Sequence, residues 1–430
     1  MKLRRLLILL STFLLVVLVG NLIQYRGQSN VYSVNYPPVS CPNAGAGTTL
    51  QVSLTNSKEL VRSLPGKSTK FLPAKSTRIS SDTKSLVVDG EGVNSLAWIS
   101  KSGVWAGGVT CLSPQTEQYF VGASGDVSSK SNLILVNSGL NNSIVELTVF
   151  TEATTFKKTV LVNKNRSATV SMVSLAPGSK SLGLRVVPKT GRVSAFLVDE
   201  RGKGLKTLGG DLVNSQIGLS KTLLIPAIAH SANLSKTHIL RILNPNLANA
   251  NISVEVISSD GRYVPIGLDS KIATAERAVD ISFDLNFSGS VFGLKLSADQ
   301  PIAAAVYSKV QSKGKSDFVW STSVKPGVVG TWAITGLDPL LVVTGDSIKI
   351  SAKVILPGGK NVTKTLTGSD ITAYRIPSGA LGLQILSISS DCAAALLVNS
   401  QSGTGYFPLI NGSVLTRSTV PTANIGVLNP

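Results

Sequence analysis

Histidine, methionine, cysteine and tryptophan are all scarce in this 430-residue chain, which holds two, two, three and four of them. The scarcity narrows the chemistry. His230 and His238 stand eight positions apart in "PAIAHSANLSKTH" with no cysteine or acidic cluster beside them. Zinc takes three or four such ligands, so the pair reads as a surface junction between modules, and no metal site is expected. "VDGEG" (88–92) offers two carboxylates, where calcium needs six or more oxygens. No serine sits in a nucleophile elbow, and no glycine-rich phosphate loop leads from a strand into a helix. Neither an enzymatic activity nor a cofactor is therefore expected.

Acidic residues are also few, 23 against 41 Lys and Arg, for a net charge of +18. A nucleic-acid partner is not expected, because the lysines lie scattered through turns and strand edges without interleaved aromatics. Lysines so placed keep sheet edges from pairing wrongly. Attraction to lipid headgroups or an anionic wall polymer is the functional alternative, a long-range effect that salt would weaken.

Helical amphipathic patterns are nearly absent after the N-terminus. What is present is a β-like frame that occurs four times: "SLVVDGEGVNSLAWIS" from Ser85, "GLRVVPKTGRVSAFLVD" from Gly183, "GLKLSADQPIAAAVYSK" from Gly293 and "GLQILSISSDCAAALLV" from Gly382. Offset one from the start is Leu86, Leu184, Leu294 and Leu383; offset twelve is Ala97, Ala195, Ala305 and Ala394. Side chains two apart share a face in a strand, so the frame predicts two successive strands, each with one buried face, around a turn. Alanine at offset twelve predicts close approach of a neighbouring strand or sheet.

Further β-like runs precede three copies: 131–139 with 143–150, 237–246 with 251–261, and 338–346 with 347–359. Repeats of about 100 residues with closely spaced turns predict an all-β chain of tandem immunoglobulin-like antiparallel β-sandwich modules. The expected boundaries are 49–112 for a partial module lacking its opening strand, 113–210, 211–318, and 319–430 with a C-terminal strand. The final "NIGVLNP" either closes the last module or is left to pair with a partner.

Residues 6–23 form an uncharged, apolar run preceded by Lys2, Arg4 and Arg5. Its length suits a transmembrane signal anchor through the lipid bilayer, with 1–5 as a cytoplasmic stub and the rest of the chain outside. The rival is a cleaved signal peptide, whose apolar stretch is normally shorter. Residues 24–48 read as an extracellular tether. In an exported chain Cys41 and Cys111, flanking the first module, predict a disulfide, and Cys392 a buried free thiol. Trp105, Trp320 and Trp332 are candidates for an aromatic surface that binds sugars.

The order of features resembles a family of uncharacterised actinobacterial envelope proteins. The shared elements are a basic N-terminus, one anchor, "SCP" (40–42) and repeats carrying L-x-x-L-N-P, as in "LRILNP" (240–245), and G-L-x-hydrophobic strands. That resemblance implies an envelope location and a domain of unknown function, with no active-site residues. The function expected is a membrane-anchored extracellular β-repeat protein with a structural, scaffold or protein-binding role. A carbohydrate-binding accessory subunit of a wall-processing enzyme is the alternative.

Overall fold

Runs rich in Val, Thr and Ser become strands because β-branched side chains pack on a pleated surface. The computed structural model describes residues 2–25, 32–66, 69–101, 103–204, 206–231, 233–312 and 314–419. Helix α1 (Lys2–Tyr25) covers the apolar N-terminal run and is followed by β1 (Tyr32–Asn35). Among the described residues no helix is long and apolar enough to cross a membrane.

Residues 37–414 form one compact unit. Its first repeat consists of β2 (Val39–Cys41), β3 (Thr49–Ser53), β4 (Leu60–Leu64), β5 (Leu72–Pro73), β6 (Arg78–Ser81), β7 (Ser85–Asp89), β8 (Val93–Lys101) and β9 (Trp105–Thr110). They pair as two sheets, β2-β7-β4-β5 and β6-β3-β8-β9. The second repeat follows the same plan with β10 (Gln118–Val121), β11 (Asn132–Asn137), β12 (Ser143–Phe150), β13 (Thr155–Val162), β14 (Arg166–Ser171), β15 (Gly183–Thr190), β16 (Ser194–Lys203) and β17 (Lys206–Val213). Its sheets are β10-β15-β12-β13 and β14-β11-β16-β17.

The third repeat has β18 (Ser220–Ala229), β19 (Thr237–Asn244), β20 (Ala250–Ser258), β21 (Gly261–Tyr263), β22 (Lys271–Ala273), β23 (Arg277–Asp284), β24 (Val291–Ser312) and β25 (Lys315–Thr322). Here the two strands of the frame run on as the single strand β24. Its first part pairs with β18 and β20 and its second with β19 and β25. The fourth repeat reaches the same pairing with β26 (Gly330–Ala333), β27 (Leu340–Ile355), β28 (Asn361–Arg375), β29 (Gly382–Ile388), β30 (Ala393–Asn399) and β31 (Thr404–Pro408). Both β27 and β28 pass through both of its sheets.

Several features differ from the sequence expectation. The first repeat has its opening strand: β2 pairs with β7, Cys41 opposite Leu86, within the stretch read as tether. Strands of two and three residues there are too short to show alternation. β17 and β25 cross the boundaries expected at 210 and 318 because each completes the sheet of the preceding repeat. The strand order also departs from the immunoglobulin one, in which A, B, E and D share a sheet; here the fourth strand joins the third. "NIGVLNP" lies outside the described residues, and the fourth repeat is complete at Pro408 without it. β32 (Thr416–Thr419) instead pairs antiparallel with β1, Tyr32 opposite Thr419.

The repeats close into a ring. β26 of the last pairs in parallel with β8 of the first, Trp332 opposite Asn94. The last strands of the four repeats meet at the centre, β9 against β17 and β31, and β25 against the same two. Each sheet that contributes a central strand is buried on both faces. In the second repeat Leu133, Leu135, Ala195 and Leu197 enter that repeat's own core, whereas Ile134, Val136 and Phe196 enter the core of the first. Radial repetition of this kind protects sheet edges, as it does in β-propellers.

The double burial corrects one alignment. Ala195 faces its own repeat, and Ala305 faces the neighbouring one; Ala304 is the residue that faces the third repeat's own core. A one-residue shift moves a strand's side chains to the other face, and the run Ala303-Ala304-Ala305 conceals it.

Candidate functional site

Where the central strands cross, their sequences supply glycine next to large rings. A Cβ on Gly210 of β17 would lie 2.6 Å from the Trp105 ring, and one on Gly107 of β9 would lie 2.7 Å from Leu212 N. Close approach buries three carboxylates beside this crossing. Asp199 on β16 accepts hydrogen bonds from Ser131 Oγ at 2.8 Å, Trp320 Nε1 at 2.9 Å and Arg201 Nη2 at 3.0 Å. Burial pushes its pKa up, but the Arg201 charge and these bonds outweigh that and hold it below the ordinary value. Asp211 on β17 has only backbone donors, with Trp320 N at 2.7 Å; burial pushes its carboxyl well above the ordinary range. Asp317 on β25 accepts from Gly210 N at 3.0 Å, and burial raises it to about 7.

These groups make stability depend on pH. Asp317 titrates near 7 when folded and near 3.9 when unfolded. Its contribution is complete below about pH 4 and is lost as pH rises to 7, at about 1.4 kcal/mol per unit. His238, held at about 3 by burial and then by the neighbouring His230, works in the opposite direction. Its contribution is complete above about pH 6.5 and is lost as pH falls towards 3. Asp317→Asn should therefore gain stability relative to the native chain between pH 4 and 6.5, by about 1 kcal/mol per unit. Urea denaturation at three pH values measures this; an offset that does not change with pH would contradict a neutral buried Asp317.

A cleft of about 260 Å³ opens between the second and third repeats. Arg201 from β16 and Arg241 from β19 both place their guanidiniums over Trp320, at 5.9 and 5.0 Å from the ring centroid. Arg241 holds Asp280 with two bonds, at 2.6 and 2.8 Å, and donates to the Ala123 carbonyl at 2.5 Å. Both arginines are thus neutralised by carboxylates, and the arrangement locks two repeats together. At the rim of the same cleft Ser128 Oγ donates to Asp126 Oδ2 at 3.3 Å.

The expected surface of aromatics is overturned. Trp105, Trp320 and Trp332 are 1%, 0% and 0% exposed and belong to three different cores. Trp105 fills the space opposite Gly210 in the sheets buried on both faces. The histidines are not a surface junction either. His230 Nδ1 lies 3.0 Å from His238 Nε2, and His238 Nδ1 lies 2.8 Å from Ser308 Oγ, among Phe283, Phe287 and Phe292. Cys41 and Cys111 are disulfide-bonded. Cys392 is buried and free, and burial together with Asp391 pushes its thiol up to about 11. Lys157 and Lys158 lie exposed on β13, the outer strand of its sheet, a position that discourages edge pairing. The arginine cleft escapes a reading of the sequence because its members come from four separate strands.

Among the described residues no group of three or more His, Cys, Asp or Glu side chains is placed to hold a metal ion. The structure thus defines an all-β repeat protein in which each repeat supplies two sheets. The chain belongs to DUF5719, a family of unknown function, whose model matches residues 92–403. No curated protein matches. Among solved structures, the tetra-tandem repeat in the extending region of a large adhesion protein is 11% identical, with 91% of this chain and 99% of that one covered and a TM-score of 0.12. A β-glucuronidase of glycoside hydrolase family 2 is 9% identical, with 67% of this chain and 31% of that one covered and a TM-score of 0.14. Both TM-scores lie below the range in which two folds correspond.

Proposed function

We propose that the chain is a non-catalytic scaffold of the cell envelope, anchored in the bilayer through residues 6–23 with its β-ring outside, and that it presents loops and outer strands to a protein partner. The observation that carries this reading is the closed ring. The carboxylates at its centre are buried and accept bonds from neighbouring strands, so partners are left with the outer strands and the loops between them. The apolar N-terminal run and the buried Cys41–Cys111 disulfide favour an exported chain. Each repeat is read as a variant sandwich whose two sheets share a core. The carbohydrate-binding alternative loses its three tryptophans to the interior.

Fractionation of cells carrying the full chain with a C-terminal epitope tests this reading. The chain should sediment with membranes, resist carbonate extraction and lose its epitope to protease added outside. Release into the medium would support cleavage of the N-terminal segment instead. Recovery in the soluble interior of the cell would overturn an envelope role.

A further inference from the structure

At the outer junction of the first and second repeats lies an open cleft of about 660 Å³. Its walls are Pro65, Gly66 and Thr69 after β4, the loop between β11 and β12, and the loop between β13 and β14. Direct bonds tie them together. Arg62 donates from Nη2 to the Ser138 carbonyl at 2.6 Å, and Asn165 N donates to the Gly139 carbonyl at 3.1 Å. The turn before β16 abuts the same corner, with Arg192 N donating to Ser143 Oγ at 3.1 Å.

The polar groups at this corner are biased towards donors. Lys164 and Arg166 line the cleft and are exposed, and Arg192 stands exposed beside it. Among the described residues no carboxylate lines it. Two of its carboxamides have their oxygens engaged within the protein. Asn142 Oδ1 accepts from Lys164 N at 2.9 Å, and Asn165 Oδ1 accepts from Arg62 Nη1 at 2.5 Å. That leaves the Nδ2 groups as what these side chains can present to a ligand. A cleft lined by exposed cations and amide N–H groups matches a ligand rich in anionic oxygens and poor in donors.

We infer that this cleft binds a segment of an anionic polymer chain, with phosphate or carboxylate groups seated between Lys164, Arg166 and Arg192. The inference goes beyond the scaffold reading and does not depend on the anchor. A thin chain can enter the cleft between its walls and meet the amide groups as well as the cations, whereas a flat bilayer surface meets only the rim, so free polymer is favoured over lipid headgroups.

Binding by the full chain in detergent would be measured with polyphosphate, polygalacturonate and neutral dextran, and by flotation with phosphatidylglycerol or phosphatidylcholine vesicles. One or both polyanions should bind, and dextran should not. Which of the two binds assigns phosphate or carboxylate. The triple variant K164Q/R166Q/R192Q should weaken binding about tenfold or more, and Asn163→Asp, which adds a negative charge at an exposed lining position, should weaken it severalfold. The control K157Q/K158Q, on the neighbouring edge strand, should change it less than about twofold. Circular dichroism of each variant separates lost binding from lost folding. Equal losses in the cleft and control variants would overturn the inference in favour of unspecific attraction to the +18 chain. Binding to anionic vesicles without binding to either polymer would also overturn it.

Discussion

Replacing Cys41 and Cys111 together by serine is expected to lower the stability of the ring by about 4 kcal/mol, the loop-closure value for a crosslink of this span. The bond joins residues separated by 70 positions, and both sulfurs are fully buried. Its structural leverage is larger than its span alone conveys. β2 has three residues and pairs only with β7, while Ser40 and Leu112 exchange backbone bonds at 2.8 and 3.0 Å. Without the crosslink, little else holds this strand against the end of β9, one of the four central strands. Guanidinium denaturation of the native and double-serine chains measures the difference, and reductant should produce the same loss in the native chain alone. The buried thiol of Cys392, with its pKa raised to about 11, is a poor nucleophile for disulfide exchange at neutral pH. A double-serine chain as stable as the native one would show that strand pairing alone retains β2.

Glycine-to-alanine changes at the central crossing should be nearly as severe. A Cβ on Gly107 would come 2.5 Å from Asp211 Oδ1 and 2.7 Å from the backbone nitrogen of Leu212. Overpacking typically costs about 1–3 kcal/mol and exceeds that where a backbone must move, so Gly107→Ala should cost about 3 kcal/mol or more. Gly45→Ala is the control, since a Cβ there meets only Thr48 Oγ1 at 4.0 Å; it should be nearly neutral. At Gly210 the obstacle is the Trp105 side chain instead, 2.6 Å away. Trp105→Phe should therefore partly relieve Gly210→Ala, with a coupling energy of about 1 kcal/mol or more in a double-mutant cycle. The indole nitrogen Nε1 of Trp105 is buried without a hydrogen-bond partner, so the phenylalanine forfeits no bond. Additive losses would mean that Trp105 and Gly210 are not in direct conflict.

Much of the fold was legible in the sequence, for a physical reason. Leu86, Leu184, Leu294 and Leu383 are all buried strand residues, and the polar residue after each of the last three, Arg185, Lys295 and Gln384, gives the ordinary signature of a half-buried strand. Ring closure was not legible. A sheet covered on both faces has no alternation to reveal which neighbour covers it, and Ala393-Ala394-Ala395 reads the same whichever face each residue takes. Tryptophan on a strand of unknown burial is equally ambiguous, and only the glycines opposite Trp98 and Trp105 show why those two turn inward. The polymer cleft was invisible for another reason. Lys164, Arg166 and Arg192 are unremarkable singly; the turns of the second repeat bring them to one corner, and Arg62 of the first repeat closes on it.

The parallel pairing of β26 with β8 also bears on how such a chain can evolve. A row of modules joined end to end can grow or shrink by duplicating or deleting one member, since each new copy needs only a neighbour on either side. A circle offers no such freedom. A fifth copy would have to part β26 from β8 and re-angle every junction, and loss of one would leave two doubly covered sheets open to water. Copy number is thus an architectural constant here. The outer loops carry no such constraint, since a surface loop can change length without disturbing the circle.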